Sequence, residues 1–278
     1  MPVPDENDLN KYLGQKRKRL EEIRGRLSAD RAIDALFSRK NWYGKVEEQL
    51  RIWESDPRKS FRERDISVPE YELFRYFEDG QILDRFIASF SILEESICPD
   101  RTRYRKWRES KLRLFSKQIS QIYSVLFEIL ILGELASSGL TVEPYFENID
   151  GRIEIDSRFV YFEIKSLQKT RFDFEGVGSG GVQHDEHQIL TALNEKAVQL
   201  SPYSGRPIQI FLSLYRLADL TTGQWFTQDF FHTDEGRNIS GASLYSWFTA
   251  GAGKKFMDNE SALVSFSPVE AAFFNDFL

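Results

Sequence analysis

The sequence predicts an α/β protein whose sheet-forming core follows a basic, helical region. Three observations carry this. Residues 1–120 hold 26 Lys and Arg against 22 Asp and Glu, while the remainder holds 11 against 21. Apolar residues near the start recur at helical spacing, at Leu9, Leu13, Leu20, Ile23 and Leu27. From Ser116 the pattern reads helix, three strands, helix, strand.

Element by element, the front divides into helical pieces near 29–55 and 68–97, with Asp56-Pro57 and Pro99-Asp100 as breaks. Residues 101–117 are densely basic, with Tyr104 and Trp107 among the cations. Cations there can neutralise phosphates while rings stack on bases. The same stretch also reads as a solvated helix face whose rings point inward.

Ser116–Ser138 is almost wholly apolar and is expected to be a buried helix, which Gly139 ends. Leu140–Phe146, Arg152–Ile155 and Arg158–Ser166 read as strands, and Asp156-Ser157 reads as a hairpin turn between the last two. A Gly-rich loop runs through 169–183. A helix is expected at about 185–200 and a buried strand at Pro207–Tyr215. The organisation expected is a helical region over 1–115, an α/β core over 116–215 and an extension packed on it over 216–278. That last stretch, aromatic and Gly-rich, has no clear pattern.

Composition excludes several classes. At 278 residues, the chain is long enough to fold without disulfide or metal staples. With 41% hydrophobic and 29% charged residues it is not a disordered chain. A net charge of -6 excludes a small basic coat protein but not a locally basic site. The single cysteine, Cys98, excludes an internal disulfide and a multi-cysteine zinc cluster. The polar N-terminus and the lack of ~20 consecutive apolar residues lead to the expectation of a cytoplasmic protein with no membrane partner.

Charged residues inside the apolar core call for a chemical explanation. Glu128 sits in Phe127-Glu128-Ile129-Leu130, Asp150 at the entry to a short strand, and Glu163 and Lys165 in the strongest strand. Residues two apart in a strand share a face, so Glu163 and Lys165 point the same way. Pairing across the Asp156-Ser157 turn brings Asp150 towards them. Buried charges are costly unless paired or bound to metal. Two carboxylates and a backbone carbonyl suit a hard divalent ion, which keeps positions for water and phosphate. Such an ion polarises a phosphodiester and acidifies its bound water, and a lysine beside it can orient the attack. The plainer possibilities are that Asp150-Gly151 is a turn, that Glu163 and Lys165 form a surface pair, and that Glu128 lies on a wet helix strip.

Asp150, twelve intervening residues, then Glu163-Ile164-Lys165 resembles the Asp…Glu-x-Lys motif of the PD-(D/E)xK nuclease superfamily, the restriction-endonuclease-like fold. The resemblance implies an αβββαβ core and an Mg²⁺-dependent (or Mn²⁺-dependent) nuclease. By position, Asp150, Glu163 and the Ile164 carbonyl would bind the metal, Lys165 would be the catalytic lysine, and Glu128 an accessory ligand. Ile149 stands where the family has proline, and Gly151 where an apolar residue is usual. The expected partner is nucleic acid, DNA before RNA, held by Arg103, Arg105, Lys106, Arg108 and Lys111 and by Gln183, His184 and Lys196 on the helix after the third strand. Dimerisation is an open possibility. A binding or scaffolding module that keeps this fold without turnover is the alternative.

Two further strings carry less. Gly176-Val177-Gly178-Ser179-Gly180-Gly181 matches a dinucleotide-binding string but lacks the hydrophobic strand that should precede it. His184 and His187 are too few for a zinc site without further ligands.

Overall fold

Helical spacing in the first third becomes a series of helices, three of them started by an aspartate. In a computed structural model, which describes residues 6–55, 69–167, 181–214, 220–246 and 253–277, these are α1 (Glu6–Leu27), α2 (Arg31–Arg39), α3 (Trp42–Ser55), α4 (Pro69–Phe77), α5 (Gly80–Ile97) and α6 (Arg101–Arg113). Asp30 caps α2 by accepting from the Ala32 and Ile33 amides, and Asp79 and Asp100 do the same for α5 and α6. Each of the two long helical pieces expected from the pattern is therefore two helices. Asn41, at φ 50, makes the first break, and Asp79 makes the second.

The chain divides into two compact units: Met1–Ser96 with Arg108–Leu130, and Ile97–Trp107 with Ile131–Leu278. Among its described residues the first is helical, with no strand. Its core is a ring cluster in which Phe37 touches Trp42, Phe77, Phe86 and Phe115 at centroid distances of 5.2–6.2 Å. Helix α7 (Ile119–Ser137) passes from this unit into the second. It is long and apolar enough to cross a membrane by length and composition alone, and 67% of Ser120–Ser137 is buried within the fold.

The second unit is built on one mixed sheet of six strands in sequential order: β1 (Thr141–Pro144), β2 (Gly151–Ile155), β3 (Arg158–Ser166), β4 (Ile208–Ser213), β5 (Gly241–Tyr245) and β6 (Lys254–Asp258). β1, β2 and β3 pair antiparallel. β3, β4 and β5 pair parallel, and β6 closes the edge antiparallel. Asp156 and Ser157, at φ 52 and 62, turn β2 into β3 as a two-residue hairpin whose twist matches the strands. Helix α8 (Gly181–Leu200) is the crossover that parallel β3 and β4 require. Its stripe of Ile189, Leu193, Ala197 and Leu200 buries against Ile208, Ile210 and Leu212.

Residues after 216 do more than pack on the core. They form α9 (Leu220–Phe231), add β5 and β6 to the sheet, and return as α10 (Pro268–Asp276). Phe230 and Phe231 of α9 join the α8 face, and Phe274 of α10 meets Phe211 on the opposite face. The fold is thus α/β, a six-stranded mixed sheet flanked by helices. Residues 168–180, with the Gly-x-Gly-x-x-Gly string, lie outside the described residues, except Gly181.

Candidate active site

The β2–β3 register places Gly151 opposite Phe162, so Asp150, one residue earlier, stands opposite Glu163. The Ile164 amide donates to Asp150 Oδ2 at 2.7 Å, and the Asp150 amide reaches Glu163 Oε1 at 3.3 Å. Asp150, Glu163 and the Ile164 peptide are therefore one local constellation at the end of a hairpin.

The loop that delivers Asp150 is held in an unusual backbone. Tyr145 and Glu147 adopt φ values of 56 and 46, a region in which bulky residues are rare. Burial of the Tyr145 side chain, whose ring lies 6.3 Å from that of Trp107, accounts for the first. The Glu147 carbonyl accepts from Lys106, its carboxylate from the Tyr203 hydroxyl, and the Asn148 carbonyl from Gln199 at 3.0 Å. These clamps hold the turn that aims Asp150.

Glu163 is fully buried. Its Oε1 accepts from Gln199 Nε2 at 2.7 Å, and its Oε2 from Lys196 Nζ. Burial and the neighbouring Asp150 charge push its carboxyl up to about 8, against the opposing pull of Lys196. Between the ordinary carboxylate value and about 8 the folded chain binds this proton and the unfolded chain does not. The group's contribution is complete below ~4.3 and is lost as pH rises through about 8. Melting curves should show wild type losing stability relative to Glu163→Gln between roughly pH 5 and 9. Parallel pH profiles would refute this titration.

Lys165 shares the Glu163 face of β3 but is a third exposed and lies 3.5 Å from Glu195, which is itself 60% exposed. Such a surface pair contributes little. Glu128 belongs to the other unit, where Ser110 Oγ donates to it at 2.7 Å and Arg113 at 3.3 Å. Ser110 and Arg113 thus engage the carboxylate expected as an accessory ligand.

The basic stretch divides by partner. Arg103 pairs with Glu143 at 2.6 Å, Lys106 is spent on the Glu147 carbonyl, and Lys111 binds Glu94 at 2.8 Å. Trp107 is buried, so its ring is core rather than a stacking surface. Arg101, Arg105 and Arg108 are exposed and form no ion pair among the described residues. Gln183 and His184 lie on the first turn of α8, where side chains are outside the description. His187 is exposed. Among the described candidates on this helix, Lys196 reaches Glu163.

Gln199 and Tyr203 were not singled out by the pattern, yet both act on the constellation. Lys196 and Gln199 sit one position before Ala197 and Leu200 of the buried stripe. That places them at its border, and this is the signal that could have found them.

Among the described residues no group of three or more His, Cys, Asp or Glu side chains is placed to hold a metal. Asp150 and Glu163 are fewer than that. They still match the donor set of Mg²⁺, which uses one or two carboxylates and otherwise water and phosphate. Two close acidic groups, one buried and raised in pKa by the other, form the deficit a divalent cation relieves. The residues fit such an ion.

Comparison of the chain with family models, curated proteins and solved structures finds no match.

Proposed function

We propose that the chain is a metal-dependent nuclease on a restriction-endonuclease-like core, cutting DNA in preference to RNA. The observation that carries the reading is the pairing of Asp150 with buried Glu163 across the β2–β3 hairpin, with the Ile164 peptide between them. The order of α7, β1, β2, β3, α8 and β4 supports the same reading, since it is the αβββαβ order the Asp…Glu-x-Lys resemblance implies.

A divalent cation, when bound, supplies a Lewis acid and a water of lowered pKa. Asp150 and Glu163 would hold it, with Asp150 positioned by the clamped 145–150 loop. A lysine ammonium at the site would stabilise charge on the phosphate. The oxygen of water bonds to phosphorus, the bond to the sugar oxygen breaks with its electron pair left on that oxygen, and one proton of the water ends on the sugar oxygen by way of solvent.

Arg101 and Arg105 are suited to the phosphate backbone. Their double replacement by alanine should weaken DNA binding regardless of sequence. It should also lower the salt slope by about two, near 0.9 per phosphate contact. An unchanged slope would remove them from the interface.

Supercoiled plasmid with Mg²⁺ against EDTA tests the reading. Nicking or linearisation in Mg²⁺ alone is expected. A second reading, a binding module without turnover, is favoured by one fact: both Glu163 oxygens already have protein donors. Metal-independent DNA binding with no cleavage would select it.

A further inference from the structure

We infer that Lys196 of α8, and not Lys165 of the Glu-x-Lys triplet, is the lysine of the carboxylate site. The inference rests on the nuclease reading and deepens it. Strand alternation puts Lys165 on the correct face, but its ammonium is drawn to Glu195 at the surface. Lys196 comes from the helix one layer away. Its side chain is 15% exposed and donates to the fully buried Glu163. Partial burial of an ammonium is costly, so one placed on a fully buried carboxylate marks a built site rather than a solvated surface pair.

The geometry gives Lys196 two positions. Without a cation it donates to Glu163 alongside Gln199, whose Oε1 accepts from Lys196 at 3.1 Å while its Nε2 donates to Glu163. With a divalent cation held by Asp150 and Glu163, the Lys196 ammonium would lose Glu163 as its acceptor. Released from Glu163 but still carried by α8, the ammonium would donate to a non-bridging oxygen of the scissile phosphate. No proton is transferred in this role. The triplet's lysine position is thus filled across space, from a helix rather than from the strand.

Steady-state cleavage by wild type, Lys196→Met and Lys165→Met tests this, together with NMR of the lysine ¹⁵N-ammonium groups on adding Mg²⁺. Lys196→Met should lose roughly 10²-fold or more in kcat, with KM for DNA within about threefold, the pattern of an interaction made in the transition state. Lys165→Met should stay within about threefold in both constants. The Lys196 signal should move with Mg²⁺ and the Lys165 signal should not. If Lys196→Met does not fold, Lys196→Gln is scored instead, since it can still donate to Glu163. Loss confined to Lys165→Met, or a Lys196 signal indifferent to Mg²⁺, would overturn the inference. No cleavage by any form while the Lys196 signal moves would sink the nuclease reading and leave Lys196 as the lysine of a cation site.

Discussion

Asp150→Asn is expected to reduce metal-dependent cleavage by well over 10²-fold while leaving the protein folded. Its Oδ2 is the acceptor for the Ile164 amide at 2.7 Å, and asparagine can keep that bond through its own oxygen. What disappears is one of two charges on the cation. Changes that merely touch a metal's outer shell already cost about 10–100-fold in affinity or activity, so loss of a direct carboxylate should exceed that. Removing the Asp150 charge also relieves Glu163 of a like neighbour, so the melting temperature should hold or rise. Cleavage rates and melting curves on one preparation check both halves. A variant that cuts at the wild-type rate would exclude Asp150 from the site.

Gly151→Ala should be the most damaging single methyl in the hairpin. A Cβ there would stand 2.4 Å from Phe162 Cζ and 2.9 Å from the Glu143 carbonyl. The Phe162 ring is fully buried and packs at 5.8 Å on Phe211, and the carbonyl belongs to the pairing strand β1, so neither yields cheaply. Overpacking of this kind costs about 1–3 kcal/mol. That corresponds to a loss of roughly 2–12 °C in melting temperature for a unit of this size. Because Asp150 precedes Gly151, activity should fall further than stability. A variant as stable as wild type would mean that the β1–β2 edge is softer than this packing implies. The same contact explains why glycine follows Asp150 here: the ring of Phe162 fills the space a side chain would use.

The hairpin was legible because local signals agreed. Alternation, β-branched and aromatic residues, and Asp156-Ser157 at the turn together fix the register, and the register alone sets Asp150 opposite Glu163. The end of the sheet was not legible. Gly241-Ala242-Ser243-Leu244-Tyr245 has little strand propensity. It is wholly buried because it lies between β4 and β6. β6, Lys254-Lys255-Phe256-Met257-Asp258, is an edge strand whose lysines hide its pattern. Lys254 does structural work there, donating to the carbonyls of Phe274, Asn275 and Phe277 at the end of α10. The lysine at Glu163 was illegible for a related reason. Which residues of α8 meet the sheet depends on how the helix is rotated upon it, and spacing within the helix narrows that only to the borders of its apolar stripe. The basic stretch shows the converse limit: its charge count was plain, but the pairing of Arg103 and Lys111 with acids distant in sequence was not.

The central claim is that Asp150 and Glu163 form one divalent-cation site. Calorimetric titration of Mn²⁺ into wild type, Asp150→Asn and Glu163→Gln, each confirmed folded, tests it most directly. The account predicts one saturable site in wild type that is lost or weakened by at least about tenfold in both variants. Binding that is absent from wild type, or equal in all three proteins, would contradict it.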